Sequence, residues 1–310
     1  MKVFLCESIH PAALELLKTS AEVIEDWSRL SEANAIINRN LQLPRETLEN
    51  APRLRVIAIH GTGCDGIDMK YCNEKGITVL YVPFLNADSV AELIVTLSLA
   101  LLRKIAYADR LVTSGAPIAN APGCLFGNEL GGKTFGLIGC GDIARRAARI
   151  LTGGFRCRVI GYDPFFSPKA AEAGIEPFPS IDAVLGQADL FSISVHLTKD
   201  TAGFINAERL AHCKPGALLI NTSRGGVVDE KALYDALISK RLGGAACDVW
   251  EHEPPTVENP LVGLTNVIAT PHLGANTDEA LRRVGVRMVE QIFTVLNGGK
   301  AEYVYTEAQL

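Results

Sequence analysis

Short apolar runs alternate with stretches of helical periodicity along almost the whole chain, and no other feature constrains its fold as strongly. Parallel strands need a crossover of a dozen or more residues to join them, so this alternation predicts parallel sheets covered by helices, an α/β protein. In the first part, residues 2–6, 22–26, 35–37, 55–60 and 77–82 read as strands, with helical segments such as Pro11–Lys18 between them. Residues 89–112 read as one long crossing helix, and residues 114–132, rich in Gly, Pro and Asn, as a surface loop. A second series of strands is expected at residues 134–138, 158–162, 190–195, 217–221, 245–249 and 267–270, six in all, as a dinucleotide-binding domain requires. Helical periodicity resumes near Thr277 and runs to Val295; this last helix is expected to return to the first domain. A length of 310 residues exceeds what one core usually serves, so two doubly wound parallel-sheet domains are the expectation.

Composition narrows the partners. With 30 Lys and Arg against 35 Asp and Glu, the net charge of -5 offers no basic excess for a phosphodiester backbone, and no nucleic-acid partner is expected. Apolar stretches such as residues 91–102 fall short of the roughly 20 residues that cross a bilayer. The N-terminus lacks a basic segment followed by an apolar core, so a cytoplasmic protein with no membrane partner is expected. The eight cysteines form no CxxC pair, and Cys6, Cys140, Cys157 and Cys247 sit inside apolar runs, as buried thiols of a reducing compartment do; no metal site is expected. Asn221, Thr222 and Ser223 match the glycosylation sequon, a three-residue pattern that carries little weight alone.

Three glycine patterns compete for a phosphate, and their context separates them. GNELGGKT at residues 127–134 fits the P-loop pattern, but that loop must follow a strand and open a helix, whereas this segment precedes a strand. GTGCDG at residues 61–66 follows a strand, yet the next strand ends in Pro83 and Phe84, with no carboxylate for a ribose. Its turn still presents backbone N–H groups to an anion such as a substrate carboxylate. GCGDIA at residues 139–144 has a strand before it, a helix after it and Asp163 at the end of the next strand. Gly139 permits the tight turn, Gly141 lets the backbone approach a pyrophosphate, and Ala144 is small enough for close helix packing. Asp163 would accept hydrogen bonds from a ribose diol and repel a 2′-phosphate, which favours NAD over NADP.

Ligands of an open parallel sheet sit beyond the carboxyl ends of its strands, and Arg224, Glu253 and His272 all follow strands of the second series. An arginine fork holds a carboxylate bidentately, a histidine moves the proton that accompanies hydride transfer, and a nearby glutamate orients and charges the histidine. His196 also follows a strand, and spacing alone does not choose between the two histidines.

At these residues the chain resembles the D-isomer-specific 2-hydroxyacid dehydrogenases, and among them most closely the phosphoglycerate dehydrogenases. The resemblance rests on HGTGCDGID from His60, NADSVAEL from Asn86, GLIGCGDIA from Gly136, GYDP from Gly161, NTSRGGVVDEKAL from Asn221, DVWEHEPP from Asp248 and TPHLGANT from Thr270, in that order. It implies an NAD-binding Rossmann domain at residues 89–280, inserted in a smaller flavodoxin-like substrate domain of residues 1–88 and 281–310. It assigns carboxylate binding to Arg224, the acid/base to His272 and its acidic partner to Glu253, and removes His196 from that role. Gly139, Gly141, Asp142, Ile143, Asp163, Val195, Thr222, Ser223 and Asp248 would line the NAD site, Asp248 near the carboxamide, and His60, Gly61, Thr62 and Gly63 would meet the substrate. The family's formate-oxidising members carry an amide in place of Glu253, which disfavours formate. A homodimer packed through residues 89–112 is implied, in a form without the regulatory domain that some phosphoglycerate dehydrogenases append.

The substrate is expected to be a small 2-hydroxy or 2-keto acid, and local residues qualify the resemblance. The phosphate-binding arginine expected before the glycine loop is Ile59 here, and a second aligns with Asn38, where the neighbouring Arg39 could substitute after a small backbone shift. An unphosphorylated acid such as glyoxylate or hydroxypyruvate is therefore expected to be preferred over 3-phosphohydroxypyruvate. A different class, an NAD-sensing corepressor-like binding protein, shares the fold; the absence of long disordered extensions argues against it.

Overall fold

In the computed structural model, residues 1–115, 120 and 122–306 are described. The chain divides into one unit of Met1–Asn86 with Ala275–Leu310 and another of Ala87–Gly274. The first unit carries β1 (Lys2–Leu5), β2 (Glu22–Ile24), β3 (Ala35–Asn38), β4 (Val56–Ile59) and β5 (Thr78–Leu80), all parallel, in the order β2-β1-β3-β4-β5. The second carries β6 (Thr134–Ile138), β7 (Arg158–Tyr162), β8 (Ile175–Pro177), β9 (Leu190–Ile193), β10 (Ala217–Asn221), β11 (Leu242–Cys247) and β12 (Val267–Ala269). These are again all parallel, in the order β12-β11-β10-β9-β6-β7-β8. The two orders are those of doubly wound flavodoxin-like and dinucleotide-binding sheets.

The inner strands are mostly apolar because helices cover both faces. In the first unit, alternate side chains sort to opposite sides: Phe4, Ile36, Ile57 and Val79 enter one core. Val3, Leu5, Ala35, Ile37, Val56 and Ala58 enter another, together with Val284, Met288, Val289 and Ile292 of the helix Asp278–Leu296. In the second unit Phe135 and Leu137 pack with Ala144, Ala147 and Leu151 of the helix Asp142–Phe155, and Phe191 and Leu219 belong to a further core.

Several expectations are corrected. Residues 89–112 are two helices, Ala87–Leu102 and Ile105–Thr113, separated where Lys104 takes a left-handed φ of 54°. Apolar residues continue across this break, so periodicity conceals it. The second sheet has seven strands; the addition is β8, three residues at the sheet edge, where its closing Pro177 is tolerated. β11 begins at Leu242 rather than at residue 245, the poor strand formers Gly243 and Gly244 having masked its start. The unit boundaries fall ahead of residues 88 and 280, because one helix opens at Ala87 and the last is capped by Thr277, whose Oγ1 accepts from Ala280 N. In the segment read as a loop, residues 116–119 and 121 lie outside the description, and Gly123–Leu125 forms a 3-10 turn. Among the described residues no helix is long and apolar enough to cross a membrane.

Candidate active site

The chain leaves β6 at Ile138 and enters the helix Asp142–Phe155 through Gly139, Cys140 and Gly141. Gly139 has φ 89°, and a Cβ there would lie 2.4 Å from the Ser194 carbonyl oxygen, so glycine is required for both the turn and the approach to the end of β9. Gly141 caps the helix with no side-chain hydrogen bond, and the space where its Cβ would stand is open. The first N–H groups of that helix have no partner within it, and this cradle fits a pyrophosphate. Asp163, just past β7, accepts from Cys140 N through Oδ2 and from Phe165 N through Oδ1, both at 2.8 Å, which fixes its carboxylate beside the glycine turn. A carboxylate has about four acceptor sites, so capacity for a ribose diol remains. Replacing Asp163 by alanine should therefore weaken NAD binding more than NADP binding, and titration of the two cofactors into the variant checks this.

Other residues assigned to the cofactor are more committed to the protein. Asp142 pairs with Arg145 at 3.0 Å and Arg146 at 3.1 Å; Ile143, Val195 and Thr222 are half-buried. Ser223 donates to Asn221 Oδ1 through its N–H and hydroxyl, while Asn221 Nδ2 donates to the Arg224 carbonyl. The sequon asparagine is thus only 2% exposed, with its amide bonded within the protein. The P-loop-like residues 127–134 run straight into β6, so no helix opens where that loop would need one.

β10, β11 and β12 are adjacent and parallel, so the segments that follow them emerge at one edge of the sheet. Arg224 follows β10, Glu253 follows β11 and His272 follows β12. His272 Nδ1 and Glu253 Oε2 are 2.8 Å apart, and Glu253 Oε1 accepts from Trp250 N at 3.1 Å. Burial pushes the Glu253 carboxyl up, but the hydrogen bond and charge of His272, the Trp250 N–H and the Arg224 guanidinium outweigh it and hold the group below the usual carboxylate range. His196 is exposed, and its carbonyl accepts from Thr201 Oγ1 at 2.5 Å; the described ion pairs give an acid to His272 and none to His196.

Three residues that hold this arrangement were not singled out for that role from the sequence. A Cβ on Gly225 would lie 1.8 Å from the Trp250 carbonyl carbon, so the backbone beside Arg224 rests on the backbone leading to Glu253. Trp250 Nε1 donates to the Thr270 carbonyl at 3.0 Å, joining that segment to the one bearing His272. Asp248, assigned to the cofactor, is buried and accepts from Thr270 Oγ1, Leu273 N and Gly274 N, while its carbonyl accepts from His272 N. Four bonds to one residue thus fix the turn in which His272 adopts a left-handed φ of 57°.

In the other unit, the turn after β4 leaves the backbone of Gly61, Thr62 and Gly63 partly accessible. His60 stands directly before that turn. Its side chain is 6% exposed and packs on the helix Asp278–Leu296, where a Cβ on Gly285 would be 3.3 Å from Nε2. Burial lowers its pKa, and Nε2 has no hydrogen-bond partner among the described residues.

The profile of the D-isomer specific 2-hydroxyacid dehydrogenase NAD-binding domain matches residues 95–274, the unit that holds both the glycine cradle and the Arg224, Glu253 and His272 edge. The chain belongs to the D-isomer specific 2-hydroxyacid dehydrogenases. It is 37% identical over 314 residues to the D-3-phosphoglycerate dehydrogenase of Methanocaldococcus jannaschii, covering 98% of this chain but 59% of that protein. It is 39% identical over 286 residues to the hydroxypyruvate reductase of Thermotoga maritima, covering 91% of each. Among solved structures, the D-lactate dehydrogenase of Aquifex aeolicus complexed with NAD and lactic acid matches with a TM-score of 0.83 and 30% identity over 96% of each chain. The chain thus spans little more than half the length of the first of these relatives and nearly all of the second.

Proposed function

We propose that this dehydrogenase interconverts an unphosphorylated 2-keto acid and its D-2-hydroxy acid. The observation that carries the reading is the His272–Glu253 pair at 2.8 Å, at the sheet edge from which Arg224 also emerges. NAD supplies the hydride acceptor or donor at C2. Arg224 binds the substrate carboxylate as a bidentate fork and draws charge from the adjacent carbonyl. With Nδ1 bonded to Glu253, His272 presents Nε2 and gives its proton to the carbonyl oxygen during reduction, or takes it from the hydroxyl during oxidation. Gly139, Gly141, Asp142, Ile143, Asp163, Val195, Thr222, Ser223 and Asp248 would hold the cofactor, and in the other unit the accessible backbone of Gly61, Thr62 and Gly63 suits an anion. Two buried apolar or amide side chains, Ile59 and Asn38, stand where phosphate-binding arginines would be required, which supports an unphosphorylated substrate.

The test is loss of NADH absorbance with glyoxylate, hydroxypyruvate, pyruvate and 3-phosphohydroxypyruvate. Turnover is expected, with the highest kcat/KM on an unphosphorylated acid. NADH binding without turnover of any of them would overturn the enzyme reading in favour of a nucleotide-sensing binding protein. Glu253→Gln supplies a second check. The Glu253 carboxylate fixes the His272 ring through Nδ1, so the amide should loosen it and lower turnover by roughly tenfold or more while NADH binds as before, and unchanged turnover removes Glu253 from this role.

Self-association also forms part of the reading. The helix Ile105–Thr113 buries no residue of its own, and Ile105 and Val112 are 57% and 67% exposed, a face that a second copy would cover in a homodimer. Sedimentation is expected to give twice the 33.3 kDa chain mass, with Ile105→Glu shifting it toward one chain. Eight free thiols fit a cytoplasmic location, which fractionation of the native host would test.

A further inference from the structure

Glu253 reaches His272 from a loop that has little packing of its own. Trp250 and Leu261 are buried in one core, whereas residues 251–258 between them are exposed apart from the half-buried Pro255. Exposed connections of this kind open locally at little cost, so a carboxylate carried on one keeps a partner at 2.8 Å only if the ends of the connection are fixed. The bond that Glu253 Oε1 accepts from Trp250 N is local to one end.

The residue that joins the two ends is Glu230, the first of the helix Glu230–Ile238. Its Oε1 accepts from Glu251 N at 2.8 Å and its Oε2 from Asn259 Nδ2 at 2.7 Å, while its own N–H donates to Glu251 Oε1 at 3.4 Å. Asn259 is held in turn, since its Oδ1 accepts from Leu261 N at 3.0 Å and its N–H donates to the Thr256 carbonyl at 3.1 Å. The helix is a firm anchor for this clasp. Asp229 caps it by accepting from Ala232 N at 2.9 Å, and a carboxylate in the first turn suits the positive end of its dipole. Its Ala232, Leu233, Ala236 and Leu237 enter the same core as Trp250 and Leu261. Helix, loop, Glu253 and His272 all belong to the unit Ala87–Gly274.

We propose that Glu230 is a positioning residue for proton transfer: one carboxylate fastens both ends of the loop 251–259 and thereby holds Glu253 on His272. The assignment rests on the acid/base reading above, and Glu230 acts through Glu253 rather than on the substrate.

The experiment compares wild type with Glu230→Ala, Glu230→Gln and Asn259→Ala, with thermal unfolding as the check that each folds. A glutamine offers one oxygen where the carboxylate has two, so Glu230→Gln and Asn259→Ala each release one end of the loop and serve if the alanine at 230 does not fold. With hydroxypyruvate or glyoxylate and NADH, Glu230→Ala should lower kcat by about tenfold or more, toward the roughly 10²-fold cost of a 1 Å misplacement. The two single-end variants should lose less, and KM and NADH affinity should stay within about twofold of wild type, because Arg224 and the glycine cradle are untouched. In a Glu253→Ala background the same change should add less than about threefold, since no carboxylate remains to be positioned. A second readout does not depend on turnover: hydrogen exchange of the Trp250 amide, which donates to Glu253, should quicken by about tenfold or more in Glu230→Ala. If wild type turns over no keto acid, the dehydrogenase reading fails and the Trp250 amide still decides Glu230. Unchanged Trp250 exchange in a folded variant would overturn the proposal, as would, in an active enzyme, unchanged kcat or the full loss repeated in the Glu253→Ala background.

Discussion

Replacing His272 by alanine should lower turnover of a 2-keto acid by roughly 10²- to 10⁴-fold while NADH binds nearly as in wild type, because the variant loses proton transfer and keeps the cofactor cradle. The cradle residues Gly139, Gly141 and Asp163 belong to β6, β7 and their connections, whereas His272 follows β12 at the far side of the same sheet. His196→Ala provides the contrast: it emerges beside β9, and the ion pair with Glu253 belongs to His272. The measurement is single-turnover and steady-state NADH oxidation, with NADH affinity followed separately by fluorescence. A His196→Ala variant with the larger loss would reverse the assignment.

Gly225→Ala should be nearly as damaging to turnover, although it removes no functional group. Its methyl would stand 1.8 Å from the carbonyl carbon of Trp250 and 2.0 Å from the oxygen, a backbone contact that no rotamer change relieves. The two segments must part, carrying Arg224 away from Glu253 and, through the Trp250 indole on the Thr270 carbonyl, disturbing the turn of His272. A displacement of about 1 Å in a reacting constellation costs on the order of 10²-fold in rate, and the melting temperature should fall by several degrees. Gly226→Ala is the control, since its Cβ would meet only Leu197 methyl groups at 3.6 Å, an ordinary contact. Equal activity of the two variants would show that the approach of Gly225 to Trp250 does not hold the site.

The parts of this molecule that sequence made legible are those written in one contiguous stretch. Gly139, Gly141, Ala144 and Asp163 could be read together because strand, turn, helix and next strand follow one another, and each position has its own steric or electrostatic requirement. The choice of His272 over His196 could not be made from spacing, because its acid stands 19 positions away and meets it only when β11 and β12 lie side by side. Trp250 was illegible as an organiser for the same reason: its indole and N–H act across segments, and nothing in a tryptophan after a strand announces that. The break at Lys104 was hidden because lysine carries no sign of a left-handed backbone, and the side chains on either side keep a helical rhythm. The packing of His60 was likewise illegible, because Gly285, against which its ring lies, belongs to the last helix, beyond the whole of the second unit.

That same last helix sets the order of events during synthesis. Val3, Leu5, Ala35, Ile37, Val56 and Ala58 are exported early, but Val284, Met288, Val289 and Ile292, which share their core, are translated only after all of Ala87–Gly274. At typical elongation rates that interval is roughly ten to forty seconds, long enough for the intervening unit to fold on its own. Until then that apolar face of the nascent five-stranded sheet has the helix Pro11–Lys18, through Ala13 and Leu17, but not the last helix over it, with parallel strands whose pairing is intrinsically slow. The newborn N-terminal segment is therefore the stretch on which a ribosome-associated chaperone would be expected to act, and a chain stalled before residue 284 would leave that face only partly covered.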